Sequence, residues 1–121
     1  MKIAVPSEGK QWNSPVSRSF GRTPYFLVVD TETGAFTVID NEAAAAQGGA
    51  GIKAAQAVVD SGAETVLTFH CGQNAADVLK AAGIRLLRAV PGSVSGLVES
   101  WKKGGLQELT EIHAGFHGGQ N

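Results

Sequence analysis

Hydrophobic residues in the first 40 positions follow a pattern that is typical of strands. Short apolar runs rich in β-branched residues occur at KIAV (2–5) and in both halves of YFLVVDTETGAFTVID (25–40). The second stretch is divided by Thr-Glu-Thr-Gly, where Gly34 can adopt the positive φ of a hairpin turn. The pattern predicts three strands, with Pro6 ending the first strand and the second and third strands forming a hairpin.

From residue 50 onwards, apolar residues at helical spacing alternate with short apolar runs. The spacing predicts helices at roughly 50–60, 72–83 and 92–105, and the runs between them predict strands at 64–69 and 84–90. The predicted order of elements along the chain is therefore β-β-β-α-β-α-β-α.

This order predicts an α/β fold built on one mixed five-stranded sheet. Right-handed crossovers place helices on the faces of the sheet. If the first strand lies beside the fourth, the strand order is 3-2-1-4-5 with strand 2 antiparallel, which is the ribonuclease H-like three-layer arrangement. We expect a single domain at residues 1–110, followed by a flexible tail at 111–121.

The carboxyl ends of strands 1, 3, 4 and 5 would lie at one edge of this sheet, where ligands bind in open α/β folds. A polar connection at 7–24 starts at the same edge, and loops of this length are usually functional or disordered. Residues 1–24 contain four basic residues and one acidic residue, whereas residues 25–64 contain six acidic residues and one basic residue. The connection either makes a pocket at this edge positive or simply solvates the surface.

Composition narrows the classes of function. The net charge of this 121-residue chain is −1, so we expect no overall attraction to nucleic acid or to an acidic membrane surface. Cys71 is the single cysteine, which excludes a disulfide within the chain. No apolar stretch approaches the ~20 residues that span a bilayer, and the first residues do not resemble a secretory signal, so we expect a cytoplasmic location.

The distribution of carboxylates argues against the nuclease chemistry of ribonuclease H-like folds. That chemistry needs several acidic residues clustered on the sheet to hold two magnesium ions. The first strand with its continuation, IAVPS, and the fourth strand, TVLTF, contain no acidic residue. The fold is predicted without the nuclease site.

Glycines precede all three predicted helices, at Gly48, Gly49 and Gly51, at Gly72, and at Gly92. A helix start carries roughly half an elementary positive charge and unpaired N–H groups, so it favours anions, and glycine lets a ligand approach the backbone. Glycine also serves the tight turns between strands and helices, which leaves both interpretations open. Neither a Walker A motif nor G-x-G-x-x-G after the first strand is present, so no nucleoside triphosphate or dinucleotide is indicated.

The stretch TFHCGQNAAD (68–77) places His70 and Cys71 where a strand leads into a helix. A helix dipole can lower the pKa of such a cysteine, which would make it a thiolate ligand or a nucleophile. One thiolate and one imidazole are too few for a closed zinc site. Three interpretations stay open: an apolar cysteine beside a loop histidine, contacts to a bound metal–sulfur species, and thiol catalysis. His113 and His117 could chelate a metal if their glycine-rich segment were helical, which the glycines disfavour.

Four stretches of the chain resemble a known family. They are MKIAVPSEG, SPVSRSFGRTPYFLVVDTETG, GGAGIKAAQAVVDSGAETVL and GQNAADVLKAAGIRL. Together they are similar to the dinitrogenase iron-molybdenum cofactor-binding family, which includes NifX-like carriers and the C-terminal part of NifB. The resemblance runs from residue 1 to about residue 110. It implies the ribonuclease H-like arrangement and a non-enzymatic carrier of a metal–sulfur cluster.

The resemblance implies a molybdenum–copper sulfide cluster as the cofactor, with the iron–molybdenum cofactor or its precursor as the alternative, and a protein receiving the cluster as a partner. Such a cluster is a soft polyanion whose metals already carry sulfide, so it needs a positive, partly apolar cradle more than it needs protein ligands. We expect basic and aromatic residues of the connection, glycines of the helix starts and the junction at 70–74 to form this cradle. These residues are Lys10, Trp12, Arg18, Phe20, Arg22, Gly48, Gly49, Gly51, His70, Cys71, Gly72, Gln73 and Asn74, with Phe69 as a further apolar cover.

Metal contacts within this site are expected from His70 and Cys71. Two other functions remain alternatives: a thiol-dependent enzyme that uses Cys71, and a protein-interaction module without a cofactor that exposes the glycine-rich edge to a partner.

Overall fold

Strands and helices alternate in the order that the hydrophobic pattern predicts. The computed structural model describes residues 1–45 and 48–109. Its elements are β1 (Lys2–Ser7), β2 (Tyr25–Asp30), β3 (Phe36–Asp40), a 3-10 helix (Glu42–Ala45), α1 (Ala50–Asp60), β4 (Thr65–Thr68), α2 (Gln73–Ala81), β5 (Arg85–Arg88) and α3 (Val94–Lys102). The expected tail at 111–121 lies outside the described residues. None of the helices in the described ranges is long and apolar enough to cross a membrane.

The five strands form one mixed sheet in the order β3-β2-β1-β4-β5. β2 is antiparallel to both β1 and β3, whereas β4 is parallel to β1 and β5 is parallel to β4. The predicted strand order and the antiparallel direction of strand 2 are confirmed. The carboxyl ends of β1, β3, β4 and β5 therefore share one edge of the sheet.

Pro6 does not end the first strand, and that prediction is wrong. β1 continues to Ser7 and pairs with β2 along its whole length, but it pairs with β4 only at Ile3 and Ala4. Beyond Ala4 the connection takes the place of β4, since the carbonyl of Pro6 accepts from the N–H of Ser17 at 2.9 Å. The ring nitrogen of Pro6 faces the same side as its carbonyl, so the missing donor does not interrupt the pairing with β2.

Helices cover both faces of the sheet and bury two separate cores. On one face Phe26 and Val66 pack with α1 and α2, including the fully buried Leu79. On the other face Leu67 packs with α3 through Leu97. The three layers are those expected from the ribonuclease H-like arrangement.

Two of the helices are shorter than the spacing predicts, whereas α1 has the predicted bounds. α2 begins after Gly72, which is extended (φ −68°, ψ 160°), and α3 begins after Ser93, whose side chain caps it. Both helices end just before a glycine with positive φ, Gly83 at 78° and Gly104 at 74°. Such residues end helices because only glycine adopts this conformation without strain.

The long connection between β1 and β2 is fixed against the sheet edge. The N–H of Val16 donates to the carbonyl of Gly92 at 2.9 Å, and the N–H of Glu8 donates to the carbonyl of Pro15 at 2.9 Å. The hydroxyl of Thr23 donates to the carbonyl of Ser7 at 3.1 Å. Val16 packs in the core on the α3 face and Phe20 packs in the core on the α1 and α2 face, so the connection crosses from one face of the sheet to the other near the carboxyl end of β1.

Candidate functional site

A hollow of about 300 Å³ lies where the connection meets the starts of α1 and α2. We call it the glycine hollow. Its lining residues are Phe20, Gly21, Arg22, Gly49, Ala50, Gly51, Ile52, Gly72, Gln73, Asn74 and Ala75. They come from three separate stretches of the sequence, and the fold brings them together because the carboxyl ends of β1, β3 and β4 share one edge of the sheet.

Both helix starts in this hollow lack a side-chain cap. The N-cap residues are Gly49, in the left-handed conformation (φ 70°, ψ 18°), and Gly72, and neither has a side chain that could accept a hydrogen bond. In contrast, the Oγ of Ser93 accepts from the N–H of Gly96 at 3.0 Å at the start of α3. The first-turn N–H groups of α1 and α2, together with the positive ends of the two dipoles, make the hollow favourable for an anion.

A close contact between two glycines sets the width of the hollow. A Cβ atom built on Gly21 would lie 3.2 Å from the Cα and 3.3 Å from the nitrogen of Gly51, closer than ordinary contact. A Cβ on Gly51 would lie 3.5 Å from the Cβ of Ala75, which is ordinary contact. Glycine at position 21 therefore lets the connection touch the first turn of α1.

Arg22 brings a positive side chain to this hollow. One terminal nitrogen of its guanidinium donates to the carbonyl of Ala44 at 2.8 Å, and its backbone N–H donates to the hydroxyl of Ser19 at 3.0 Å. Within the described ranges, no aspartate or glutamate lines the hollow. The exposed guanidinium and the two helix starts thus act on one space.

Phe20 supplies an apolar surface at the base of the same hollow. Its side chain is almost fully buried, and its ring lies 5.1 Å from the ring of Phe26, centroid to centroid. Ile52 on the first turn of α1 is exposed beside it. The hollow therefore combines hydrogen-bond donors with apolar contact.

Arg18 and the start of α3 lie in a second hollow. This space of about 350 Å³ is lined by Arg18, Phe69 and Gly92 among others, and the central carbon of the Arg18 guanidinium lies 4.8 Å from the centroid of the Phe69 ring. Arg18 and Arg22, which the sequence analysis places in one cradle, therefore lie in two separate hollows.

Several predicted site residues do not line the glycine hollow. Lys10 lies over the ring of Tyr25, with Nζ 5.4 Å from its centroid, and Trp12 stacks on Phe36 at 5.5 Å. Trp12, Tyr25 and Phe36 pack against the core on the α3 face, away from α1 and α2. Gly48 is exposed and lies outside the residues that line the hollow.

Cys71 is a core residue and not a surface thiol. It is 1% exposed and packs in the core beneath α1 and α2. Burial raises the pKa of the Cys71 thiol to about 11, which is opposite to the lowered pKa that a thiolate ligand or nucleophile requires. The neighbouring His70 is exposed but lines neither hollow.

A site for a bare metal ion is not present in the described part of the chain. Within residues 1–45 and 48–109, no group of three or more His, Cys, Asp or Glu side chains could hold a metal ion. His113 and His117 lie outside the described residues.

Sequence analysis missed Asn41, which fixes the turn that carries Arg22. Asn41 is 7% exposed, and its side-chain amide donates to the carbonyl of Gly21 at 3.1 Å and to that of Thr23 at 2.8 Å. Asn41 and Gly21 are 20 positions apart. No local pattern signals this contact, although a polar residue directly after a predicted strand is a signal that could have been followed.

Comparisons with known proteins agree with this architecture. The apo form of the orange protein from Desulfovibrio gigas is 35% identical, with a TM-score of 0.86 over 90% of this chain and 92% of that chain. A putative NifB protein from Thermotoga is 39% identical, with a TM-score of 0.82 over 92% of this chain and 95% of that chain. A putative dinitrogenase from Methanocaldococcus jannaschii, 19% identical with a TM-score of 0.67 over 92% of this chain and 96% of that chain, is similar in fold.

A comparison with curated proteins finds no match. The sequence profile described as dinitrogenase iron-molybdenum cofactor matches residues 1–104, which is most of the chain. The chain therefore belongs to the dinitrogenase iron-molybdenum cofactor family.

Proposed function

We propose that this protein binds an anionic metal–sulfur cluster without covalent attachment and carries it without catalysing a reaction. Membership of a cofactor family supports a role in binding a metal-cluster cofactor. The proposed location rests on one observation. Two uncapped helix starts and the guanidinium of Arg22 share one hollow, and no carboxylate lines that hollow in the described ranges. A protein that receives the cluster is the implied partner.

The residues of the glycine hollow fit a preformed cluster better than a bare metal ion. A bare ion needs several protein ligands, and no group of three His, Cys, Asp or Glu side chains is available among the described residues. A cluster whose metals are already bound by sulfide needs donors for its negative charge and apolar contact for its soft surface. The first-turn N–H groups and Arg22 supply the donors, and Phe20 and Ile52 supply the apolar contact.

The side chains at the start of α2 differ in their availability. The side-chain amide of Gln73 donates to the carboxylate of Asp77 at 2.7 Å. We therefore propose that Gln73 contacts the cluster through its backbone N–H and not through its side chain. Asn74 is exposed on the first turn and lines the hollow. The contribution of α2 is therefore mainly the positive end of its backbone.

We propose a molybdenum–copper sulfide cluster as the ligand, because that is the ligand implied by the resemblance to the orange protein. The iron–molybdenum cofactor or a precursor is the alternative, supported by the description of the family and by the similarity to a putative NifB protein. Both are metal–sulfur anions, so the same hollow serves either.

Thiol catalysis through Cys71 is the weaker alternative. The thiol is almost fully buried and its raised pKa keeps it protonated at neutral pH. A reaction at this sulfur would require the helix start to open. A protein-interaction module without a cofactor does not account for two uncapped helix starts facing one hollow.

Anaerobic loading of the purified protein with tetrathiomolybdate and copper tests the proposal, with bound Mo, Cu and Fe measured after desalting and binding followed by visible absorption. We expect stoichiometric metal in the parent. Arg22→Ala should weaken binding by about 5- to 30-fold, corresponding to about 1–2 kcal/mol for a partly exposed charge-assisted contact.

Lys102→Ala is the matched control, since it removes one exposed positive charge from the last turn of α3. It should bind like the parent. Equal binding by Arg22→Ala and Lys102→Ala would show that the cluster does not occupy the glycine hollow.

A further inference from the structure

We propose that Asn41 is a positioning residue for cluster binding and that it acts through Arg22. This inference rests on the proposed function and adds to it a residue that does not line the hollow. Asn41 is the first residue after β3, and it lies behind the turn that carries Arg22.

Asn41 holds the turn on both sides of Arg22. Its side-chain amide donates one hydrogen bond to Gly21, the residue before Arg22, and one to Thr23, the residue after it. Its backbone N–H donates to the carbonyl of Pro24 at 3.0 Å. One buried side chain therefore fixes the backbone from which the arginine projects.

The same residue also places the acceptor of the guanidinium. The backbone carbonyl of Asn41 accepts from the N–H of Ala44 at 3.0 Å, which begins the 3-10 helix at Glu42–Ala45. The carbonyl of Ala44 in turn accepts from the guanidinium of Arg22 at 2.8 Å. Asn41 thus connects the backbone on either side of Arg22 with the acceptor of its guanidinium through a closed series of hydrogen bonds.

The side-chain amide of Asn41 supplies the hydrogen-bond donors for the carbonyls of Gly21 and Thr23. Thr23 is fully buried, and its hydroxyl is already engaged with the carbonyls of Ser7 and Tyr25. Removing the Asn41 amide leaves the carbonyls of Gly21 and Thr23 without this partner and frees the turn to move against Gly51. The consequence for binding is that Arg22 samples other directions before the anion arrives, which lowers affinity through lost preorganisation.

A double-mutant cycle tests the inference with tetrathiomolybdate and copper as the probe. We expect Asn41→Ala to weaken binding by about 3- to 10-fold in the parent and by less than about 2-fold in the Arg22→Ala background, because residues that act through one another are not additive. Asn41→Ser, whose shorter side chain cannot span both carbonyls, is the second variant if Asn41→Ala does not fold, and the same pattern is expected.

Ser61→Ala is the control for lost stability. It removes a hydrogen bond of 2.6 Å to the carbonyl of Val58 at the other end of α1, roughly 16 Å from the hollow. It should lower the unfolding temperature without changing affinity.

The outcomes separate this inference from the proposed function. Equal weakening by the Asn41 variant in both backgrounds, or no weakening while Arg22→Ala does weaken binding, would overturn the positioning role and leave the hollow as the site. No effect of Arg22→Ala would overturn both.

Discussion

Replacing Gly21 by alanine should destabilise the protein through a single steric contact. Gly21 does not have positive φ, so backbone strain is not the cause. The added Cβ would lie 3.2 Å from the Cα of Gly51, whereas carbon atoms pack at about 3.5–4.0 Å, and the obstacle is backbone that cannot rotate away. Overpacking of this kind costs about 1–3 kcal/mol.

The assay is thermal unfolding followed by circular dichroism. For a chain of this length, 1 kcal/mol shifts the melting temperature by about 3–5 °C, so Gly21→Ala should lower it by about 3–15 °C. Gly51→Ala is the matched control on the other side of the contact, because its Cβ would meet Ala75 at an ordinary 3.5 Å. It should be neutral or stabilising by up to about 1 kcal/mol, since alanine favours the helix. A melting temperature for Gly21→Ala equal to that of the parent would refute the close contact that sets the width of the hollow.

Two further predictions concern Cys71. Iodoacetamide should leave the folded protein unmodified at pH 8 and alkylate it fully in urea, because the thiol is 1% exposed; rapid alkylation without urea would contradict the burial. The pKa of the thiol is raised from 9.0 to about 11, so the protonated thiol favours the folded state below pH 9 and this stabilisation is lost as the pH rises from 9 to 11. In urea unfolding, the free energy of unfolding of the parent should therefore fall by about 2 kcal/mol more than that of Cys71→Ala between these pH values, and parallel losses would contradict it.

The sequence predicts the fold well because the order of elements restricts the sheet topology. Alternation of short apolar runs with helical spacing leaves few topologies for a mixed sheet, and the order 3-2-1-4-5 is the one observed. The error at Pro6 arises because a proline excludes pairing on one side of a strand only. Whether that side of Pro6 faces a strand or the connection depends on where β4 ends. No local pattern in the sequence shows where that is.

The candidate site is predicted in part. Glycines before helices indicate the two uncapped starts of α1 and α2, and the FGR turn brings Arg22 to them. The sequence does not show which face of the sheet each part of the connection covers, so it does not reveal that Trp12 and Lys10 lie on the α3 face, away from the glycine hollow. The burial of Cys71 and the hydrogen bonds of Asn41 depend on contacts between distant segments, which spacing along the chain does not reveal.

The central claim is that the starts of α1 and α2 hold the anion, and the backbone amide groups report on it directly. Two-dimensional 15N–1H NMR spectra recorded with and without tetrathiomolybdate and copper would locate the bound probe. We predict the largest shifts for the N–H groups of Ala50, Gly51, Gln73 and Asn74, with small shifts at the capped start of α3. Largest shifts around Arg18, Phe69 and Gly92, or at the opposite edge of the sheet, would contradict the account.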